Sequence, residues 1–147
     1  MKSTATHALV QGASSQLDLH RAGATLLRVA LGIMFIAHSV VLKYFTFTLA
    51  GTAQYFASIG LPSFLAYVVF ALEAVGGVLL VLGIRTRWVA LGLIPVLLGA
   101  TWVHAGNGWV FNAPNGGWEY PLFLIVISLV VAAQAYGSSR SPSGGAN

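Results

Sequence analysis

The sequence predicts an all-α membrane protein: a four-transmembrane-helix bundle with a short amphipathic helix in its first outer connection and both termini cytoplasmic. Three observations predict it. Only 7% of the 147 residues are charged, seven Lys or Arg and three Asp or Glu, while 57% are hydrophobic. A soluble domain carries roughly 25% charged residues, so this chain cannot clothe a soluble surface and lipid must be its main solvent. The apolar residues gather in four stretches, and nearly all Lys and Arg fall on one side of them.

The totals exclude other classes. There is no Cys, so no disulfide framework, Cys-based zinc site or thiol relay can form. The net charge of +4 contains no basic run or stripe, so it reads as a record of membrane orientation and not as a nucleic-acid surface.

The elements follow in order. Residues 1–18 read as a flexible N-terminal tail, because the stretch from Met1 to Gln16 is polar and has no compact apolar core of a secretory signal. Residues 19–137 form the transmembrane domain. Its four stretches run from about Ala24 to Leu42, Phe64 to Ile84, Trp88 to His104 and Tyr120 to Tyr136. Each approaches the roughly 20 residues that span a ~30 Å hydrocarbon core as helix. Open strands would leave backbone groups unsatisfied in lipid. Residues 138–147, rich in Ser, Gly and Pro, read as a flexible C-terminal tail.

Within the first connection, Tyr55, Phe56 and Ile59 can share one face of a short amphipathic helix, with Gly60 closing it and Pro62 restarting the chain. The second connection, Ala105 to Glu119, is crowded with Gly, Asn and Pro and reads as turns folded over the outer mouth. Pro95 should remove a hydrogen bond in mid-helix and kink the third span near Leu91. Lys2, Arg21, Arg85, Arg87 and Arg140 fall on one side against Lys43 on the other, which puts the termini and the Arg85–Arg87 turn in the cytoplasm of a bacterial inner membrane. Tyr44, Trp102, Trp109, Trp118 and Tyr120 then form an aromatic belt at the outer boundary.

Charged groups are costly inside a bilayer, so those that occur there are candidates for function. Glu73 lies near mid-span, with Gly76 and Gly77 on its face admitting a neighbouring helix. It either fixes helix packing through an ion pair or serves a ligand. Arg28 either snorkels to water or reaches toward Glu73. His38 and His104 lie toward the outer side, where a haem clamp is conceivable but a hydrogen-bonding role is commoner and no spacing supports a metal. Glu119 opens the fourth span, where a carboxylate suits the helix dipole. Arg28, His38, Lys43, Glu73, His104 and Glu119 are therefore the candidate ligand-binding residues. No catalytic residue can be assigned. Apolar walls with these few polar groups suit a small amphipathic molecule such as a quinone or a phenol.

These residues also carry a resemblance. Leu27-Arg28-Val29-Ala30-Leu31-Gly32, Ile36-Ala37-His38 with Lys43, Gly51 to Pro62, Leu72-Glu73-Ala74-Val75-Gly76-Gly77, Leu82-Gly83-Ile84-Arg85-Thr86-Arg87 and Asn115 to Pro121 are similar to the DoxX family of small bacterial four-helix membrane proteins. The resemblance covers about Leu26 to Tyr136. The family often has Gly directly after the His and Lys four positions past it. Here Ser39 follows, and Lys43 is five positions on. On a regular α-helix that turns Lys43 about 100° past the family's position.

The resemblance implies a redox-linked inner-membrane protein, either a quinone-linked oxidoreductase or a subunit of one, working with a soluble or membrane oxidoreductase partner. The chain has no evident electron carrier of its own, so a quinone, a haem or a partner enzyme would supply one. The alternatives are a non-catalytic anchor or assembly subunit of a redox complex and, ranked lowest, a small-solute transporter, which would require a homo-oligomer to enclose a path.

Overall fold

A computed structural model describes the backbone of residues 2–138; of the C-terminal tail expected over residues 138–147, Ser138 ends the last helix and residues 139–147 lie outside the described residues. The chain runs α1 (Lys2–Ile36), a π-helical continuation (Ala37–Thr46), α2 (Leu49–Ser58), α3 (Phe64–Leu82), α4 (Thr86–His104), a 3-10 turn (Ala105–Asn107) and α5 (Glu119–Ser138). Helical backbone begins at Lys2, so residues 2–18 of the stretch expected as a tail form part of α1, and Met1 lies outside the described residues.

Four helical stretches are long and apolar enough to cross a membrane: Ser14–Thr46, Phe64–Leu82, Thr86–Asn107 and Glu119–Gly137. Four crossings return the chain to the end of the bundle where it started. That end carries the α3–α4 turn and is called the turn end below; the opposite one is the loop end.

Helix α1 packs on α3, α3 on α4, α4 on α5, and α1 closes the bundle on α5. Leu31, Phe35, Leu80, Leu93, Leu97 and Val131 fill the interior. Bulky apolar side chains such as Leu26, Phe64 and Trp88 stay exposed, as they do on a lipid-facing surface. Small residues set the closest approach. A Cβ on Gly77 would stand 2.8 Å from the carbonyl oxygen of Gly32, and one on Gly32 would stand 2.7 Å from that of Gly77. Gly76 receives Leu93 of α4 in the same way.

The ends of the elements have local causes. Helix α3 stops at Gly83, whose φ of 74° is left-handed, and the amide of Ile84 donates back to Leu79 O at 2.9 Å. Helix α4 continues through Pro95. Helix α2 starts at Thr48, whose Oγ1 accepts from the amide of Gly51 at 3.0 Å, and it ends before Gly60 at φ 83°. The face it buries differs from the expectation. Thr52 and Ala53 turn inward beside half-buried Phe56, while Tyr55 remains 49% exposed. Short side chains let α2 lie close against α3, and Tyr55 is left to the boundary region.

Candidate functional site

The π-helical stretch decides where the polar residues of the first span point. The amide of Phe47 donates to Leu42 O at 2.8 Å, and Thr46 Oγ1 donates to Val41 O at 2.9 Å, each across five residues. A π-helix closes its turn with one residue more than an α-helix. The five-residue step from His38 to Lys43 is thus about one turn, and both project from the same face. The displacement expected on a regular α-helix does not occur.

Lys43 Nζ lies 2.6 Å from Glu73 Oε2 of α3 and 3.5 Å from the carbonyl oxygen of His38. Both side chains are largely buried, at 17% and 8% exposure. An ion pair removed from water holds only with close geometry and further hydrogen bonds. Here the ammonium also meets a backbone carbonyl.

His38 Nδ1 stands 2.9 Å from Met34 O. A carbonyl can only accept, so Nδ1 carries the proton there. The imidazole stacks on the ring of Tyr120, the second residue of α5, with centroids 5.7 Å apart and planes 23° apart. The Tyr120 hydroxyl is buried and meets no hydrogen-bonding partner among the described residues. Directly after His38, Ser39 is fully buried and donates to Phe35 O at 2.9 Å and Ile36 O at 3.1 Å.

Tyr120 also borders a cleft of about 420 Å³ with Trp109, Glu119, Leu122, Phe123 and Val126. Glu119 is the single charged group on that lining. The second connection shapes the cleft. The amides of Trp118 and Glu119 donate to Gly108 O at 3.2 Å and Trp109 O at 3.0 Å, and the Trp109 and Trp118 rings meet edge to face at 4.5 Å.

The structure thus brings together His38, Lys43 and Glu73, and Tyr120 connects them to Glu119. The other two candidates lie elsewhere. His104 Nδ1 sits 3.1 Å from both Asn115 O and Gly116 O, and Asn107 Nδ2 donates to the same two carbonyls at 3.1 and 3.0 Å. The two side chains pin the second connection onto the end of α4. Arg28 stands at the turn end, where Nη1 donates to Leu80 O and Val81 O, the last carbonyls of α3. It does not reach Glu73. A guanidinium suits that site because the helix dipole is negative there.

Tyr120 was read from the sequence only as a member of the aromatic belt. The available signal was its position next to Glu119 at the start of a span. Its stacking on His38 depends on how α1 and α5 meet, which periodicity does not reveal.

Comparison with known proteins places the sequence among relatives. The family model described as DoxX matches residues 23–106. The chain is 39% identical over 117 residues to a protein of Bacillus subtilis (strain 168) named "Putative oxidoreductase CatD", an alignment covering 78% of this chain and 81% of the relative. No solved structure matches significantly.

Proposed function

The chain belongs to the DoxX family, and from that premise we propose that it is a redox-associated inner-membrane protein. In this reading it binds a quinone-like or small phenolic molecule near the outer face and works with a partner oxidoreductase. The observation that carries the reading is the buried, unpartnered hydroxyl of Tyr120 beside an apolar cleft. Leaving such a hydroxyl unsatisfied costs about 1–3 kcal/mol. A quinone carbonyl or a phenol oxygen is a compact acceptor that would satisfy it once the Tyr120 ring tips toward the cleft.

Trp109, Leu122, Phe123 and Val126 supply the apolar walls for a ring, and Glu119 supplies an acceptor for a hydroxyl. His38 holds the Tyr120 ring by stacking, and the Lys43–Glu73 pair fixes the π-helical segment that presents His38. A bound quinone would supply the two-electron carrier that the chain lacks. The protein's own part is to hold the ring, exclude water and present a donor. The assignment of this end to the outer face rests on the Lys and Arg distribution.

The test is quenching of tryptophan fluorescence by a water-soluble benzoquinone analogue in the full-length protein. Saturable quenching is expected, weakened about 3–10-fold by Tyr120→Phe, which removes one hydrogen bond of roughly 0.5–1.5 kcal/mol. Saturable quenching that neither Tyr120→Phe nor Glu119→Gln alters would remove this cleft from the reading.

A second reading, a non-catalytic anchor, draws on a different observation. Ser39 and Ser128 bond to carbonyls of their own helices, and Glu73 is paired with Lys43, so these buried groups can act purely in packing. Co-purification of a stoichiometric oxidoreductase with no quinone response would favour it.

A further inference from the structure

We propose that the turn end of the bundle holds a second site, a cleft that binds a phosphate-bearing anion. The cleft measures about 760 Å³, and four of its lining residues are Arg21, Arg28, Arg85 and Arg87. They come from three places in the chain: α1 supplies two, the α3–α4 turn one, and the first turn of α4 one.

Among the described residues no carboxylate side chain pairs with them. Of the three acidic residues in the chain, Glu73 is paired with Lys43, Glu119 lines the cleft at the loop end, and Asp18 is exposed on α1. The Lys43–Glu73 pair is the sole salt bridge among the described residues. Four guanidinium groups around one recess repel each other, and the cleft concentrates their field.

The fold offsets that repulsion in ways that leave donors for a ligand. Arg28 is held by Leu80 O and Val81 O through Nη1 alone. A guanidinium has five N–H donors, so the rest of its fork remains. Arg87 lies over the rings of Trp88 and Tyr136, at 5.0 and 4.4 Å from their centroids. Ring contacts engage its flat face and spare the N–H groups at its edge. Arg85 takes a left-handed φ of 46° and begins α4, whose first amides face the same end.

The positive-inside tendency explains why Arg residues collect on one side of a membrane protein. It does not explain why four of them share one recess, or why one is half-buried against the end of α3. Planar forks arranged around a recess match tetrahedral oxyanions. Aromatic walls from Trp88 and Tyr136, at the level where a span meets water, match a phospholipid headgroup above its acyl chains. The same chemistry would take a soluble phosphate.

The test uses the full-length protein in detergent, titrated with phosphatidylglycerol, phosphatidylcholine and inorganic phosphate, and read by native mass spectrometry and thermal melting. Retention of phosphatidylglycerol over phosphatidylcholine by about tenfold or more is expected. The Arg21→Gln, Arg85→Gln double variant, altered at two exposed positions, should lose most of that preference while melting normally without ligand. The corresponding Arg→Lys pair should keep part of it. Phosphatidylglycerol that resists displacement by millimolar phosphate identifies a lipid headgroup as the occupant. Displacement, with a melting shift from phosphate alone, identifies a soluble phosphate anion. Equal retention of both lipids with no response to phosphate, or a preference unchanged in the Gln variant, overturns the site.

Discussion

Lys43 Nζ lies 2.6 Å from Glu73 Oε2, joining the π-helical end of the first span to the middle of α3. Both residues were candidates in the sequence, but the spacing of Lys43 placed it on the wrong face of an α-helix. The one-residue-longer turn of the π-helix returns it.

The pair should be strongly coupled. Removing one partner leaves the other buried without compensation, at a cost of about 3–5 kcal/mol. Lys43→Met and Glu73→Leu should each destabilise by that order, and the double variant by less than either. Denaturant unfolding of the four proteins in detergent measures the cycle. Simple additivity of the two single losses would show that the contact carries no coupling.

Deletion of Val41 is expected to be tolerated. It leaves Lys43 four residues past His38, the spacing common in the family, and an ordinary α-helical turn then presents both on one face. The coupling between the Lys and Glu73 should survive within about 0.5 kcal/mol. Deletion of Val78, on regular α-helix, should instead rotate Leu80 out of the core and prevent accumulation of folded protein. Equal damage from both deletions, scored by folded yield and by the cycle, would count against the π-helix as an accommodation of one extra residue.

Glycines should divide into two groups. Gly77→Ala places a Cβ 2.8 Å from Gly32 O and from Ile36 Cγ1, and should cost about 1–3 kcal/mol by overpacking the α1–α3 contact. Gly92→Ala meets nothing within 4 Å on α4 and should stabilise by about 0.5–1 kcal/mol through helix propensity. The ordering of the two melting temperatures is the measurement, and the reverse order would contradict the packing described.

Much of the fold was legible because hydrocarbon is a simple solvent. Long apolar runs must be helical there, and the Gly60 and Gly83 stops carry the left-handed φ that ends a helix. The amphipathic α2 was legible in position but not in facing, since a choice between Tyr55 and Thr52 depends on how much room α3 leaves. Of the candidate site, Glu73 was readable from its cost in lipid. The separation of Arg28 and His104 from it was not, because a buried polar residue advertises a need for a partner without saying which one.

The sequence by itself determined four crossings, their approximate limits and the scarcity of charge that leaves so few groups to act. Those properties depend on local composition and on the solvent, and both are set residue by residue. Only the tertiary structure decided that Lys43 meets Glu73, that Tyr120 both stacks on His38 and lines an apolar cleft, and that four Arg residues share one recess. Each of these joins residues from different helices, through a contact that exists only once helices have chosen neighbours and rotation. A change in turn length, as at Ala37–Thr46, can alter that choice without changing a single residue's hydropathy.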